Sequence, residues 1–458
     1  MFITSEQLKT SLLETSKKIV KEVNKTKVDI NDIEDKLSTM NIAADVEVSN
    51  MLNDIFRTNT KYAEFKNNTE IISVSVDEYP FLTNISNSTF SGCTNLTSID
   101  MINIVFVGDQ AFSDCTNLKD LGDTNNVTFV GEQAFQRCTN LTDIDLGNCT
   151  SIGNSAFYGC TSLITVGNTN KLTYIGAKAF QGCTNLISID LSNCTSIDSY
   201  TLYNCGNLNT IGDTSNVTFI GEKALYGCKK LTSVDLSSCT SVGNSAFHTC
   251  SNLIDLGDTS KLTIIDSYAF YYCIGLTSIN ISNCNIIGNA AFQNCSNLTT
   301  IDLSNCTSID SNAFNRCGNL IDLGDTSNLT FVGDSAFLHC SKITKINLNN
   351  CKTIGSMAFY NCAKLNELVL GNSTMTTLFN INAFTSTPIA NGTGTIWVPA
   401  ELKDAYLADA NWSTYSTAIK AINNKISTLE AENAMLKEQQ AQMQAKLEQA
   451  VFLKQDEE

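Results

Sequence analysis

From Thr89 to Phe384 the apolar and polar residues keep repeating one phrase. A clear instance runs Ala134-Phe135-x-x-Cys138, then Leu141-x-x-Ile144-x-Leu146, then Cys149, Ile152 and Gly153, before Ala156 and Phe157 start it again. The anchors of successive phrases are Phe90, Phe112, Phe135, Phe157, Phe180, Leu202, Leu225, Phe247, Phe270, Phe292, Phe314, Phe337 and Phe359, in steps of 22 or 23 residues. A fixed period of this length predicts a solenoid, in which each coil buries its apolar face against the next. Within a coil, Leu141, Ile144 and Leu146 are expected to point inward from a short strand while Thr142, Asp143 and Asp145 face out. The stacked strands would form a parallel sheet along one side, and the Ala-Phe turn would close the other.

Two coil types mostly alternate. The 22-residue type reads Leu-x-x-Ile-Asp-Leu-Ser-Asn-Cys-Thr-Ser-Ile, as from Leu186 to Ile197 and from Leu298 to Ile309. The 23-residue type carries Gly-Asp-Thr in place of the central Asp-Leu-Ser, as from Leu208 to Gly221 and from Leu320 to Gly333. The alternation slips between Cys284 and Cys306, where two short coils adjoin.

The flanks follow other patterns. Residues 1–57 place Leu8, Leu12, Leu13, Ile19, Val20 and Val23, then Ile30, Ile33, Leu37 and Met40, at helical spacing, which predicts a helical or coiled-coil region serving as a linker or as an attachment segment. Residues 58–88 read as a linker and an N-terminal cap, with a strand where Ile72, Val74 and Val76 alternate with polar residues. The array proper is assigned to 89–395 and a C-terminal cap to 396–418. From Ile419 the spacing alternates between 3 and 4 through Ile422, Ile426, Leu429, Asn433, Leu436, Gln440, Met443, Leu447 and Ala450. This predicts a coiled coil over 419–458. The seam either folds back on the solenoid or joins copies of the chain as a dimer or trimer, with Ile422, Ile426, Leu429, Asn433, Leu436, Met443 and Leu447 as the pairing residues.

Composition changes the picture in two places. The formal net charge of −17 argues against nucleic acid or an anionic membrane surface as the main partner. Of the nineteen cysteines, thirteen follow an anchor by three positions and six sit in an Asn-Cys or Ser-Cys turn, so all belong to the repeat. Equivalent positions in stacked coils lie about 4.8 Å apart, whereas a disulfide needs Cβ atoms roughly 3.5–4.5 Å apart. Two ladders of buried free thiols are therefore expected, with cysteine acting as a small apolar filler. No Cys-x-x-Cys or Cys/His cluster suggests a metal site, no apolar run is long enough to span a bilayer, and the start of the chain does not read as a signal peptide.

The phrase Ile175-Gly176, Ala179-Phe180, Cys183, Leu186, Ile189, Leu191 resembles the BspA-like, or Treponema-type, leucine-rich repeats. The resemblance extends to a closing segment with Ile396-Trp397-Val398-Pro399, Ala405-Tyr406 and Asn411-Trp412-Ser413. It implies an α/β solenoid of 22–23-residue leucine-rich-repeat coils, here with a helical N-terminal region and a C-terminal coiled coil. It also implies an adhesin or other ligand-binding protein.

No catalytic set is apparent. The two histidines, His248 and His339, follow Phe anchors and read as surface or turn residues. The one constellation able to bind something is the outward face. Short coils present Asp145, Asp190, Asp235, Asn280, Asp302 and Asn347; long coils present Gly122, Gly167, Gly212, Gly257 and Gly324, followed by Asp123, Asn168, Asp213, Asp258 and Asp325. Stacked, these predict an acidic stripe with glycine notches. It is either a solvated face or a recognition surface for a basic or polyhydroxyl ligand, with Thr142, Ser188, Ser233 and Thr299 as hydroxyl partners. No cofactor is expected; Ca²⁺ is compatible with such carboxylates, but nothing in the spacing calls for it.

These features together read as a non-enzymatic binding protein. The first expectation is an oligomeric bacteriophage virion appendage, a head or tail fibre that contacts a host-surface glycan or protein and other virion proteins. A BspA-type cell-surface adhesin and a cytoplasmic interaction scaffold are the alternatives.

Overall fold

A computed structural model describes residues 65–75, 83–422 and the single positions 439, 440 and 443. The chain divides into two compact units, Met1–Asn193 and Cys194–Glu458, and the described part of each is a stack of coils built as the period requires. In the first unit a five-stranded parallel sheet runs through Asn84–Ile85, Phe106–Val107, Phe129–Val130, Ser151–Ile152 and Tyr174–Ile175. In the second, nine strands from Ser196–Ile197 to Thr377–Leu378 pair in parallel the same way. Register is uniform: Ser151 pairs with Tyr174 and Ile152 with Ile175, so the second residue of each strand, an isoleucine, valine or leucine, points inward and the residue before it alternates to the other face.

The main sheet therefore lies where the sequence reading did not put it. It occupies the Ser-Ile or Phe-Val pair after the second turn, and the Leu-x-x-Ile-x-Leu stretch pairs only through isolated bridges such as Asp143 with Thr165 and Ser233 with Asp255. The cause is the long coil. Its Gly-Asp-Thr or Gly-Asn-Thr segment puts Gly167 at φ 69° and Gly257 at φ 64°, a left-handed turn that ends a ladder. Where no long coil intervenes, the second ladder does form. Ser278–Ile279 pairs with Thr300–Ile301 at the slip in the alternation, and a four-stranded sheet joins Lys345–Asn347, Glu367–Val369, Thr395–Val398 and Ile419–Ala421.

The interior is a column of anchor rings. Phe135, Phe157 and Phe180 stack at 5.2 and 5.0 Å with planes within 7° of parallel. Phe292, Phe314 and Phe337 stack likewise at 5.4 and 5.3 Å with planes within 11° of parallel. Two anchors hidden by irregular spacing extend the columns: Phe65 stacks on Phe90 at 5.3 Å, and Phe384 stacks on Phe359 at 5.3 Å. Residues 65–75 thus pack as a coil, with Ser73–Val74 paired to Ser98–Ile99; Val76 lies outside the described residues. The Ala-Phe turn is held by left-handed residues on both sides of the anchor, for example Gln133 at φ 55° and Arg137 at φ 58° around Phe135. Those turns leave alternate N–H groups free to reach the next coil, as Phe135 N to Ala156 O at 2.7 Å and Arg137 N to Tyr158 O at 2.7 Å.

The cysteines are all free and buried, and they do more than fill space. At least twelve of the thirteen thiols of the anchor family donate to the backbone oxygen of the preceding coil's anchor, as Cys138 Sγ to Phe112 O at 3.1 Å and Cys295 Sγ to Phe270 O at 3.0 Å. A carbonyl left unpaired inside the stack would cost about 1–3 kcal/mol. Cysteine is the residue here that combines apolar bulk with one short donor.

The stack in the second unit ends on aromatic side chains. Tyr415 meets Phe384 edge-on at 5.4 Å, and Trp412 lies 6.0 Å from it. The Trp412 Nε1–H donates to Thr376 O at 2.8 Å, the Tyr406 hydroxyl accepts from Thr376 N at 2.9 Å, and the Tyr415 hydroxyl donates to Ile381 O. One helix, Lys403–Ala408, carries Tyr406. Ile419, which opens the heptad spacing in the sequence, is instead buried in the strand Ile419–Ala421, paired with Ile396. The helical region read over 1–57 lies outside the described residues, as do Ile426, Leu429, Asn433, Leu436 and Leu447. Ile422 is half-buried, and Gln439, Gln440 and Met443 are helical and exposed.

Candidate functional site

The outward acidic residues are held by an interlock between coil types. In the first unit the Asp145 Oδ1 accepts from Gly147 N at 2.9 Å, capping its own turn. Its backbone N–H donates to the buried Thr124 Oγ1 of the preceding long coil at 2.8 Å, and Thr124 Oγ1 donates back to Asp145 O at 2.9 Å. Thr169 and Asp190 repeat the pair at 2.8 Å in both directions. In the second unit Thr259 pairs in this way with Asn280 and Thr326 with Asn347. The threonine of Gly-Asp-Thr is thus the key of the lock, and sequence reasoning passed over it. Its regular place beside a predicted turn was the available signal.

Glycine completes the fit. A Cβ at Gly167 would lie 2.3 Å from Asp145 Oδ1, and one at Gly257 would lie 2.6 Å from Asp235 Oδ1. The expected notches at Gly122, Gly167, Gly257 and Gly324 are therefore filled by the carboxylate of the preceding short coil. Gly167→Ala should destabilise the protein by about 1–3 kcal/mol, because it meets both a left-handed φ and a steric clash. Denaturant unfolding of the single and double variants checks this: adding Asp145→Ala should restore the part due to the clash and leave the part due to φ.

The long-coil carboxylates form a second, exposed row. Asp123, Asp213, Asp258 and Asp325 each accept from the backbone N–H two residues on, at 2.9 Å. The N–H of Ser215 and its hydroxyl pull the Asp213 pKa down, and Ser260 does the same for Asp258. Among the short-coil residues, Asp145 is exposed, while Asp190, Asp235 and Asp302 are half-buried with one oxygen on a turn N–H. Neither of the two ion pairs among the described residues involves the stripe. These carboxylates are ordered by turn chemistry, each with a lone pair still facing solvent, and they do not converge on one point. Among the described residues no group of three or more His, Cys, Asp or Glu is placed to hold a metal ion.

The thiols are chemically quiet. Burial pushes Cys160 and Cys295 up to about 12 and Cys149 to about 11, so they remain protonated donors, whereas nucleophilic attack needs a thiolate. His248 lies in the turn after its anchor, as expected, but it is half-buried there between the rings of Tyr226 and Tyr271. His339 Nδ1 lies 2.8 Å from Asn361 Nδ2.

The BspA type leucine-rich repeat region, in six copies, matches residues 58–187, 146–254 and 263–391. The chain belongs to the BspA-type leucine-rich repeat family. Among solved structures it is similar to a leucine-rich repeat protein from Bacteroides ovatus, at 22% identity with a TM-score of 0.50, covering 74% of this chain and 87% of that one. A leucine-rich cell surface protein from Faecalibacterium prausnitzii is similar at 24% identity with a TM-score of 0.41, covering 67% of this chain and 86% of that one. No curated protein matches the sequence. The BspA-type assignment accounts for the Ala-Phe-x-x-Cys turn and the Leu-x-x-Ile-x-Leu stretch alike. No helix among the described residues is long and apolar enough to cross a membrane.

Proposed function

We propose that this BspA-type protein is a non-enzymatic adhesin that presents the outward face of its coils to a glycan or protein on another surface. One observation carries the reading. The inside of each coil is filled by side chains that only pack or pair with backbone, namely Phe, Leu, Ile, Val, protonated Cys and the interlocking Thr, which leaves the outward positions as the variable ones. Leucine-rich repeats generally serve as binding scaffolds, and the free lone pairs of the acidic row suit a basic or polyhydroxyl partner.

The spacing from Ile422 to Leu447 supports self-association as a dimer or trimer, which would multiply individually weak contacts. That spacing is also what favours the second reading, a fibre-like appendage of a phage particle. Localisation of the protein to the cell envelope or to purified virions separates the two.

The binding surface is tested with immobilised lysozyme as a basic protein and mucin as a glycan-rich layer. Capture on at least one should fall about tenfold in the Asp145→Asn/Asp190→Asn/Asp235→Asn variant, and capture on lysozyme should weaken with added salt. Undiminished capture by the variant would discard the acidic face as the site.

A further inference from the structure

The turn side of the second unit carries a feature that the coils do not need in order to fold. Four residues that directly follow successive anchors form one stacked column: Tyr203 on Tyr226 at 4.8 Å, Tyr226 on His248 at 4.4 Å and His248 on Tyr271 at 4.5 Å, with planes within 18° of parallel. The same position elsewhere is filled by Ser113, Gln136, Gln293 and Asn315, so a small or amide side chain satisfies the turn. All four column residues are half-buried, with one edge toward solvent, and Tyr268 and Tyr272 widen the aromatic surface at 39% and 45% exposure.

Because the ring faces cover one another, the column presents its edges. An aromatic edge is electropositive, and here it is interspersed with hydroxyl and imidazole tips. Cations stand on both sides of Tyr226 in the same coil. Lys223 reaches the Tyr200 hydroxyl at 3.0 Å and Glu222 at 3.1 Å, and Lys229 and Lys230 are exposed just beyond. Burial first, and then the charge of Lys223, push the His248 pKa down, so the positive charge comes from the lysines. In a chain of net charge −17 this is a local reversal of sign, complementary to an anion.

We propose that the column Tyr203–Tyr226–His248–Tyr271, with Lys223, Lys229 and Lys230, binds an acidic polysaccharide lying along the coil axis. The repeat distance selects this over an acidic peptide. An extended peptide advances about 3.3 Å per residue and falls out of step with rings 4.4–4.8 Å apart, whereas a pyranose chain advances one sugar in close to that interval. Carboxylates or sulfates then meet the lysines, and ring hydroxyls meet the tyrosine and histidine tips. This surface is separate from the acidic face, and the two succeed or fail independently.

Titration of the full chain with hyaluronan, polygalacturonate and heparin oligosaccharides tests it, with dextran as the neutral probe and polyglutamate as the acidic peptide. Binding to at least one acidic glycan is expected, weakening with salt. It should be lost about tenfold in Tyr226→Gln/Tyr271→Gln, a side chain other coils already carry at this position, and again in the exposed pair Lys229→Gln/Lys230→Gln. The Asp145→Asn/Asp190→Asn/Asp235→Asn variant should bind as the parent does. Absence of binding to all three acidic glycans overturns the proposal, as does equal binding of dextran or polyglutamate. Unchanged affinity in variants whose unfolding midpoint matches the parent overturns it equally.

Discussion

Phe157→Ala should cost about 3–5 kcal/mol of stability, read as a lowered midpoint in denaturant unfolding. The ring is fully buried and stacks on two neighbours, Phe135 at 5.2 Å and Phe180 at 5.0 Å. Its removal therefore opens a void against both adjoining coils, and in a repeat array the interfaces between coils hold most of the stability. Phe157→Leu is the informative control, because the second unit already uses Leu202 and Leu225 as anchors, both fully buried. It should cost about 1–2 kcal/mol. A Leu variant as damaged as the Ala variant would mean that ring stacking, and not filled volume, holds the column.

Trp412→Ala should be comparably destabilising, about 3–5 kcal/mol, with an added effect on association. Trp412 is fully buried, donates to Thr376 O and covers the last anchor, Phe384. Without it the terminal ring and the backbone beside it become accessible, and an uncovered repeat end is a template for joining another copy. Thermal unfolding together with light scattering checks both parts. A lower midpoint with concentration-dependent scattering is expected, and a variant that melts lower yet stays free of association would show that the cap stabilises without shielding.

Much of the fold was legible because each coil answers to the same local needs. The anchor, the cysteine three residues later and the inward Leu, Ile and Val were fixed by period alone, and the closing segment with Tyr406 and Trp412 was legible through its resemblance to the segment that ends BspA-like arrays. The position of the main sheet was not legible. Leu141 to Leu146 and Thr150 to Gly153 both alternate, and only the left-handed glycines of the neighbouring coils decide which one extends into a ladder. Phe65 and Phe384 escaped because each lies 25 residues from its neighbouring anchor.

The candidate site was legible as a list of residues and not as an arrangement. The Asp and Gly positions were seen, but that Asp145 fills the space above Gly167 is a contact between coils, which no spacing within one coil reveals. Likewise the column Tyr203–Tyr226–His248–Tyr271 unites residues that sit 22 or 23 apart and look unremarkable one at a time. Its partners become visible only once the coils are stacked.

The stacked interior with unbridged sulfur is tested most directly by counting thiols with an aromatic disulfide reagent, first on the native protein and then in denaturant. Nineteen reactive groups are predicted after unfolding, without any reductant, and almost none before it. Fewer than that number in denaturant would reveal bridges between coils, and prompt reaction of the native protein would show that the cysteines do not lie inside the stack.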